Sequence, residues 1–212
     1  IKYGFDDITI NIHHFGGQII DFLKANNNFG VTIHISDERD ELLDTGGGIL
    51  KARNFLDGNE PFLVHNADIL TDLNLKEFYD YHLGNNADAT LLTASRNTVR
   101  YLLLDDTNRL HGWINKSTGE TKPEGLSFRE DRYKEMAFGG IHVISPSLFR
   151  YMERGQWKEK FSIIPFYLSV CETARIQGYP LQDRRWFDIG KPETLAKAEA
   201  YYSSDRQASP SF

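Results

Sequence analysis

One cysteine, Cys171, is all the thiol this chain carries. That excludes an internal disulfide and any zinc site built on thiolates, and it fits a reducing, cytoplasmic setting. Long apolar runs are missing too: none approaches the roughly 18–20 residues needed to cross a bilayer. The opening IKYGFDDITI lacks the cationic flank and apolar core of a signal peptide. It also lacks an initiator Met, and the chain is expected to be cut from a longer one. Positive charge is in short supply, with 24 Lys and Arg against 30 Asp and Glu, a formal net charge of −6 and a pI near 5.6. This argues against a nucleic-acid-binding surface, which needs a basic footprint. An acidic protein that handles phosphates needs a cation or a local basic cluster to offset its own field.

What is present is a globular mix, 40% hydrophobic and 13% aromatic over 212 residues, enough for one sizeable domain. The domain is expected to span residues 1–202, and SSDRQASPSF, residues 203–212, to be a disordered tail. DITINI (Asp7–Ile12), VTIHI (Val31–Ile35), PFLVHN and ATLLTA (Ala89–Ala94) read as strands. Helices are expected between them: one placing Phe15, Ile19, Phe22 and Leu23 on an apolar stripe, one from Gly46 to about Leu56, and one over Leu75–Leu83. This alternation predicts an α/β fold, Rossmann-like, with a mainly parallel mixed sheet and helices on both faces.

The second half changes texture. RYLLLDDTNRLHGWIN reads as two strands joined by a turn at Asp-Asp-Thr-Asn. KSTGETKPEG is a polar loop, expected to be mobile up to Phe128. EMAFGGIHVIS is a strand carrying a Gly pair, and Pro146–Met152 and Ile163–Glu172 are expected helices. RRWFDIGKPETLAKAEAYY gives a last strand, a Gly turn, and a helix with Pro192 at its first position.

Three short features bear on chemistry: DTGGG (Asp44–Gly48), NAD (Asn66–Asp68) and WFDIG (Trp186–Gly190). A Gly run before a helix serves either as a plain turn or as a place where a flat base or a phosphate approaches the backbone. An Asp at a strand end is either a helix cap or a metal ligand. Two such residues, Asp68 and Asp188, suit Mg²⁺, which takes one or two carboxylates plus water and phosphate oxygens, provided the sheet brings their strands together. Ligands of open α/β sheets bind beyond the carboxyl ends of strands. The seven His residues do not form a zinc pattern: His13 and His14 are adjacent and point to different faces, and His34 and His65 lie on separate strands. Arg184 and Arg185 are either phosphate partners or surface cations, and Phe161–Leu168 reads as core.

GFDDITINIHHFGGQIIDFL, LLDTGGGILKA, PFLVHNADILTD, FGGIHVISPSLF and WFDIGKPETLAKAE occur in the order seen in sugar-1-phosphate nucleotidyltransferases. Over residues 4–202 the chain resembles that family, in particular its N-acetylmuramate-1-phosphate uridylyltransferase and mannose-1-phosphate guanylyltransferase-like branch. The resemblance implies the nucleotide-diphospho-sugar transferase fold and an NTP and a sugar 1-phosphate as partners. It makes Asp68 and Asp188 the catalytic Mg²⁺ ligands. It lays Thr45, Gly46, Gly47 and Asn66 along the nucleotide, and Gly140, Trp186 and Lys116 along the sugar phosphate. Ala67 stands where relatives carry Gly, and Ser117 where they carry Pro after the phosphate-binding Lys. The family's opening strand and Gly-rich triphosphate loop have no counterpart before Ile1, and a piece of about 30–45 residues, one βαβ unit, is expected to be missing. Two rivals remain at this point: an NDP-sugar-using glycosyltransferase of similar architecture, and a non-catalytic module that keeps the sugar and base pockets. The sequence leaves the nucleotide, the sugar and the oligomeric state open.

Overall fold

The structure is a computed structural model that describes residues 1–124, 126, 131–182 and 184–208, without the side chains of 204–208. The first half runs β1 (Asp7–Ile12), α1 (Gly16–Ala25), β2 (Thr32–Asp37), α2 (Asp44–Lys51), α3 (Arg53–Leu56), β3 (Phe62–His65), β4 (Ile69–Thr71) and α4 (Leu75–Gly84). It continues with β5 (Ala89–Ala94), β6 (Arg100–Leu104), β7 (Leu110–Asn115), β8 (Thr121–Lys122) and β9 (Lys134–Ile144). The chain closes with α5 (Phe149–Met152), α6 (Ile163–Val170), β10 (Ile176–Pro180), β11 (Trp186–Asp188) and α7 (Pro192–Ala208).

The expected α/β architecture is present, and its core explains why. All six residues of β5 are buried, and successive side chains alternate between the two faces of the sheet. Ala89 and Leu91 join Leu102, Leu104, Ile144, Phe149, Phe166 and Tyr167 under α2, α5 and α6. Leu92 joins Ile141, Val143, Ile69, Leu73 and Phe78 under α4. Helices therefore cover both faces, and each fully buried Leu or Ile contributes about 1.5–3 kcal/mol. Helix α4 is set by its first residues: the Asn74 side chain accepts the Lys76 and Glu77 amides and donates to the Glu77 carboxylate, closing the helix start on itself.

The weighting of the sheet differs from the expected mainly parallel one. Among the described residues, β1–β2 and β5–β10 pair in parallel, whereas β9 runs antiparallel to β5, β3 and β6, and β6–β7–β8 are antiparallel too. The cause is β9, one long strand that returns through the centre of the sheet. Its first part pairs with β6 and its last part with β3. Strands β1 and β2 form a two-stranded sheet of their own, and β4 and β11 another.

Two further elements add detail to the expectations. Helix α1 forms, but of its four stripe residues only Leu23 is buried, while Phe15 and Phe22 are 62% and 60% exposed. Helix α7 runs on to Ala208, so residues 203–208 of the expected tail are helical. Residues 203–208 contain no Pro or Gly to interrupt a helix. The rest of the tail, and most of 125–130 in the expected mobile loop, lie outside the described residues. No helix among the described residues is long and apolar enough to cross a membrane.

Candidate active site at the β4–β11 ribbon

Asp68 and Asp188 meet because two short strands pair. The chain leaves β3 at His65, turns through Asn66-Ala67-Asp68, and resumes as β4, with the Ile69 amide donating to the Asn66 carbonyl at 3.1 Å. Strand β4 runs antiparallel to β11, with Ile69 opposite Asp188 and Thr71 opposite Trp186. The Ile189 amide donates to the Asp68 carbonyl at 2.8 Å, which fixes the two acidic residues side by side. A Cβ placed on Gly190 would lie 3.2 Å from both Asp188 Oδ1 and Asp68 Oδ2, so those oxygens are within twice that distance of each other. Both carboxylates are exposed, and Asp188 Oδ1 accepts the Gly190 amide at 3.0 Å. Gly190 thus leaves free the space between them. No group of three or more His, Cys, Asp or Glu side chains gathers to hold a metal among the described residues. A cation here would rest on two carboxylates and on oxygens from water or substrate, the donor set that suits Mg²⁺.

Beside this pair, β9 bulges. Leu91 faces His142 and Thr93 faces Phe138, so Gly139, Gly140 and Ile141 stand against Leu92 alone. Gly140 has φ +74°, and a Cβ there would sit 3.0 Å from Ile69 and 3.2 Å from Asn66 Nδ2. Only glycine meets both conditions without strain. Three successive carbonyls at the bulge each receive a donor from another part of the chain. Phe138 O takes Arg96 Nη2 at 3.2 Å, Gly139 O takes Trp186 Nε1 at 2.8 Å, and Gly140 O takes the Asn66 amide at 3.0 Å. Asn66, Gly140 and Trp186, expected in one site, are brought together here, next to the carboxylates.

The glycine run is used differently. The amides of Gly46 and Gly47 both donate to the Phe161 carbonyl, at 2.9 and 3.1 Å. A Cβ on Gly46 would overlap the Phe161 ring, and one on Gly47 the Glu159 carbonyl oxygen. Both glycines are buried, whereas Thr45 is exposed and its Oγ1 accepts the Ile163 amide at 3.0 Å. What the missing side chains admit is the protein's own 159–163 segment. Gly48 fits against Asn11 Nδ2 and Glu38 Oε1, where a Cβ would meet them at 2.5 and 2.7 Å. Glu38 is a buried carboxylate that accepts Asn11 Nδ2 at 2.6 Å and the Leu43 amide at 3.1 Å, tying the ends of β1 and β2 to the start of α2.

Lys116 stands apart. It pairs with Glu135 at 2.5 Å, and Glu135 lies five residues, roughly 15 Å, along β9 from Gly140. Arg185 lies over Tyr201 and beside Asp72. Two cavities of about 390 and 340 Å³, one lined by Arg109, His111, Tyr133 and Cys171 and the other by Tyr81, Tyr179 and Arg184, include neither Asp68 nor Asp188. The histidines that the fold buries are structural. His142 shares a hydrogen bond with the Tyr167 hydroxyl at 2.6 Å, and burial lowers its pKa to about 3. His82 bridges Thr90 and Ser145, and burial lowers its pKa to about 4.

Arg96, Asn11 and Glu38 are the residues near these features that the sequence reading passed over. Arg96 lies in a loop with no motif around it, and only the bulge gives it an address. Glu38 sits six residues before Asp44 in ISDERDELLD, where one acid among several carries no mark of burial.

The mixed sheet covered by helices has counterparts among known proteins. The nucleotidyl transferase family model matches residues 1–205, and the chain belongs to that family. It is 27% identical over 205 residues to N-acetylmuramate alpha-1-phosphate uridylyltransferase of Neisseria meningitidis serogroup B, covering 93% of this chain and 78% of that protein. It is 26% identical to mannose-1-phosphate guanylyltransferase catalytic subunit beta of Danio rerio, covering 99% of this chain and 56% of that one. The fold is shared with HddC of Yersinia pseudotuberculosis, solved with GMP-PN, at a TM-score of 0.72 and 20% identity, over 95% of this chain and 80% of that one.

Proposed function

We propose that the chain transfers a nucleotidyl group from an NTP to a sugar 1-phosphate, giving an NDP-sugar and pyrophosphate. The observation that carries this reading is the convergence of two exposed carboxylates, Asp68 and Asp188, at the open end of the β4–β11 ribbon in a member of this family. Asp68 and Asp188 are the residues that would hold Mg²⁺, and when bound it would offset the negative charge of the two phosphorylated substrates.

The remaining groups act by position. An attacking phosphate oxygen is already anionic, so the site needs no strong general base, and rate comes from alignment and charge neutralisation. Asn66 is held through its backbone to Gly140, which leaves its side chain to orient a substrate beside Asp68. Trp186, pinned by its indole N–H, supplies a flat apolar wall for a sugar ring, and Gly140, buried against Ile69 and Asn66, shapes the floor beside that wall. Thr45 is the exposed member of its run and the one that faces a nucleotide, while Gly46 and Gly47 shape the segment beneath it. Lys116, held by Glu135 about 15 Å along β9 from Gly140, is assigned no substrate contact. Phosphorylated substrates are retained inside cells, so the protein is assigned to the cytoplasm.

The test is pyrophosphate release from UTP, GTP, CTP and dTTP, each paired with N-acetylmuramate 1-phosphate, mannose 1-phosphate or glucose 1-phosphate in the presence of Mg²⁺. One pair should turn over, and EDTA should stop it. No release from any pair, with no NTP raising the melting temperature, would overturn the reading.

A further inference from the structure

Arg96 has no role so far beyond its bond to the bulge. It lies just past the carboxyl end of β5, exposed, with its guanidinium carbon 4.6 Å from the Trp186 ring centroid and Nη2 on the Phe138 carbonyl. Stacking and one hydrogen bond hold the group flat against the wall of the candidate sugar pocket. They use one of its five N–H donors. No carboxylate neutralises it among the described residues. The two cations described above differ: Lys116 has Glu135, and Arg185 has Asp72. Trp186 and Asp188 lie two apart on β11 and share one side of that strand, so Arg96 covers the ribbon on the side from which Asp188 projects. A guanidinium fixed by its face and one edge presents its remaining edge in the geometry that takes a carboxylate or phosphate in a bidentate manner. In a chain of net charge −6, a guanidinium with no carboxylate partner, stacked on the strand that carries Asp188, is placed for an anion that comes and goes.

We propose that Arg96 is the anion-receiving residue of the sugar subsite, binding an oxyanion of the sugar substrate, carried either by its 1-phosphate or by a carboxylate on the ring. The proposal rests on the reaction assigned above. Its chemistry explains why the positive charge of this site comes from a loop arginine and not from Lys116.

Two arms test it on the full chain. In the first, glucose 1-phosphate and glucuronate 1-phosphate, which differ by one carboxylate, are titrated by calorimetry into wild type and Arg96→Met. That variant keeps an apolar stem over Trp186 and removes every donor. Affinity should fall about 10- to 100-fold in the variant, the range for a charge-assisted bidentate contact. A loss for both ligands assigns the 1-phosphate, and a loss for glucuronate 1-phosphate alone assigns the carboxylate. In the second arm, on the pair found to turn over, Arg96→Met should raise KM for the sugar phosphate and leave KM for the NTP unchanged, with partial return in Arg96→Lys. Equal binding by wild type and variant, or no binding of either ligand by wild type, overturns the proposal. So does a rise in both KM values together with a fall in melting temperature, which marks a structural cap on the bulge. The calorimetric arm needs no turnover, so its outcome stands whether or not the reaction itself is observed.

Discussion

Gly46–Gly48 and the pair Asp68 and Asp188 look alike on paper, each a few small or acidic residues where an element begins or ends. In space they are opposites. The glycines are buried, and a Cβ on Gly46 or Gly47 would strike the Phe161 ring or the Glu159 carbonyl. The carboxylates are exposed and meet around Gly190 with room between them. The first region uses its missing side chains to close the protein on itself, and the second uses one missing side chain to keep a gap open. A glycine run is therefore weak evidence for a ligand until it is known what fills the space, whereas acids that meet at a gap are strong evidence.

The contrast breaks most readily at the carboxylates. Asp188→Asn should lower turnover by 10²-fold or more, since it removes one of two charges available to a cation. It should shift the melting temperature by less than about 2 °C, because an exposed side chain contributes little to stability. Pyrophosphate release and a thermal melt on the same preparation check both halves. Turnover near that of wild type would remove these acids from the chemistry.

Gly47→Val should behave in the opposite way. The new side chain meets backbone at Glu159, which has no rotamer to yield, so the variant should lose about 2–3 kcal/mol and some 5–10 °C in melting temperature. Its activity should fall only with its folded fraction. A variant as stable as wild type, with its NTP affinity lost, would return the glycines to the ligand.

The smallest effect per residue separates the packed interior from the site through pH. His82 and His142 are neutral in the folded protein, with pKa values lowered to about 4 and about 3 from 6.5. Below pH 6.5 the unfolded chain takes up protons that the folded chain refuses, so their contribution is complete above that pH and shrinks as pH falls toward 4. Each histidine should cost roughly 1.5 kcal/mol between pH 6.5 and pH 5, read as a lower urea midpoint. An unchanged midpoint would mean that these rings are protonated inside the fold.

Local signals in the sequence were good guides where a residue's neighbours along the chain set its environment. ATLLTA is a buried strand because every side chain suits one, and Asn74 opens α4 through bonds within a single turn. Asp68 and Asp188 were visible because each interrupts an apolar strand. Pairing between distant segments left no such trace. The β4–β11 ribbon joins strands of three residues each, too short for periodicity to register. Strand β10 was missed because Gly178 and Pro180 disguise it, yet Gly178 is required where the Leu104 side chain packs on it. The stripe on α1 is half bare because spacing shows which residues share a face, not what covers that face. Arg96 was passed over for a related reason, since its partners are the backbone of β9 and an indole ninety residues away.

The seating of Trp186 has a practical consequence. Its indole N–H is bonded to the Gly139 carbonyl and its ring carries the Arg96 guanidinium, two residues from Asp188 on the same short strand. A molecule that settles in this corner alters the polarity around the ring, so the emission of Trp186 is a built-in reporter of occupancy. Comparison with Trp186→Phe separates it from the other two of the chain's three tryptophans.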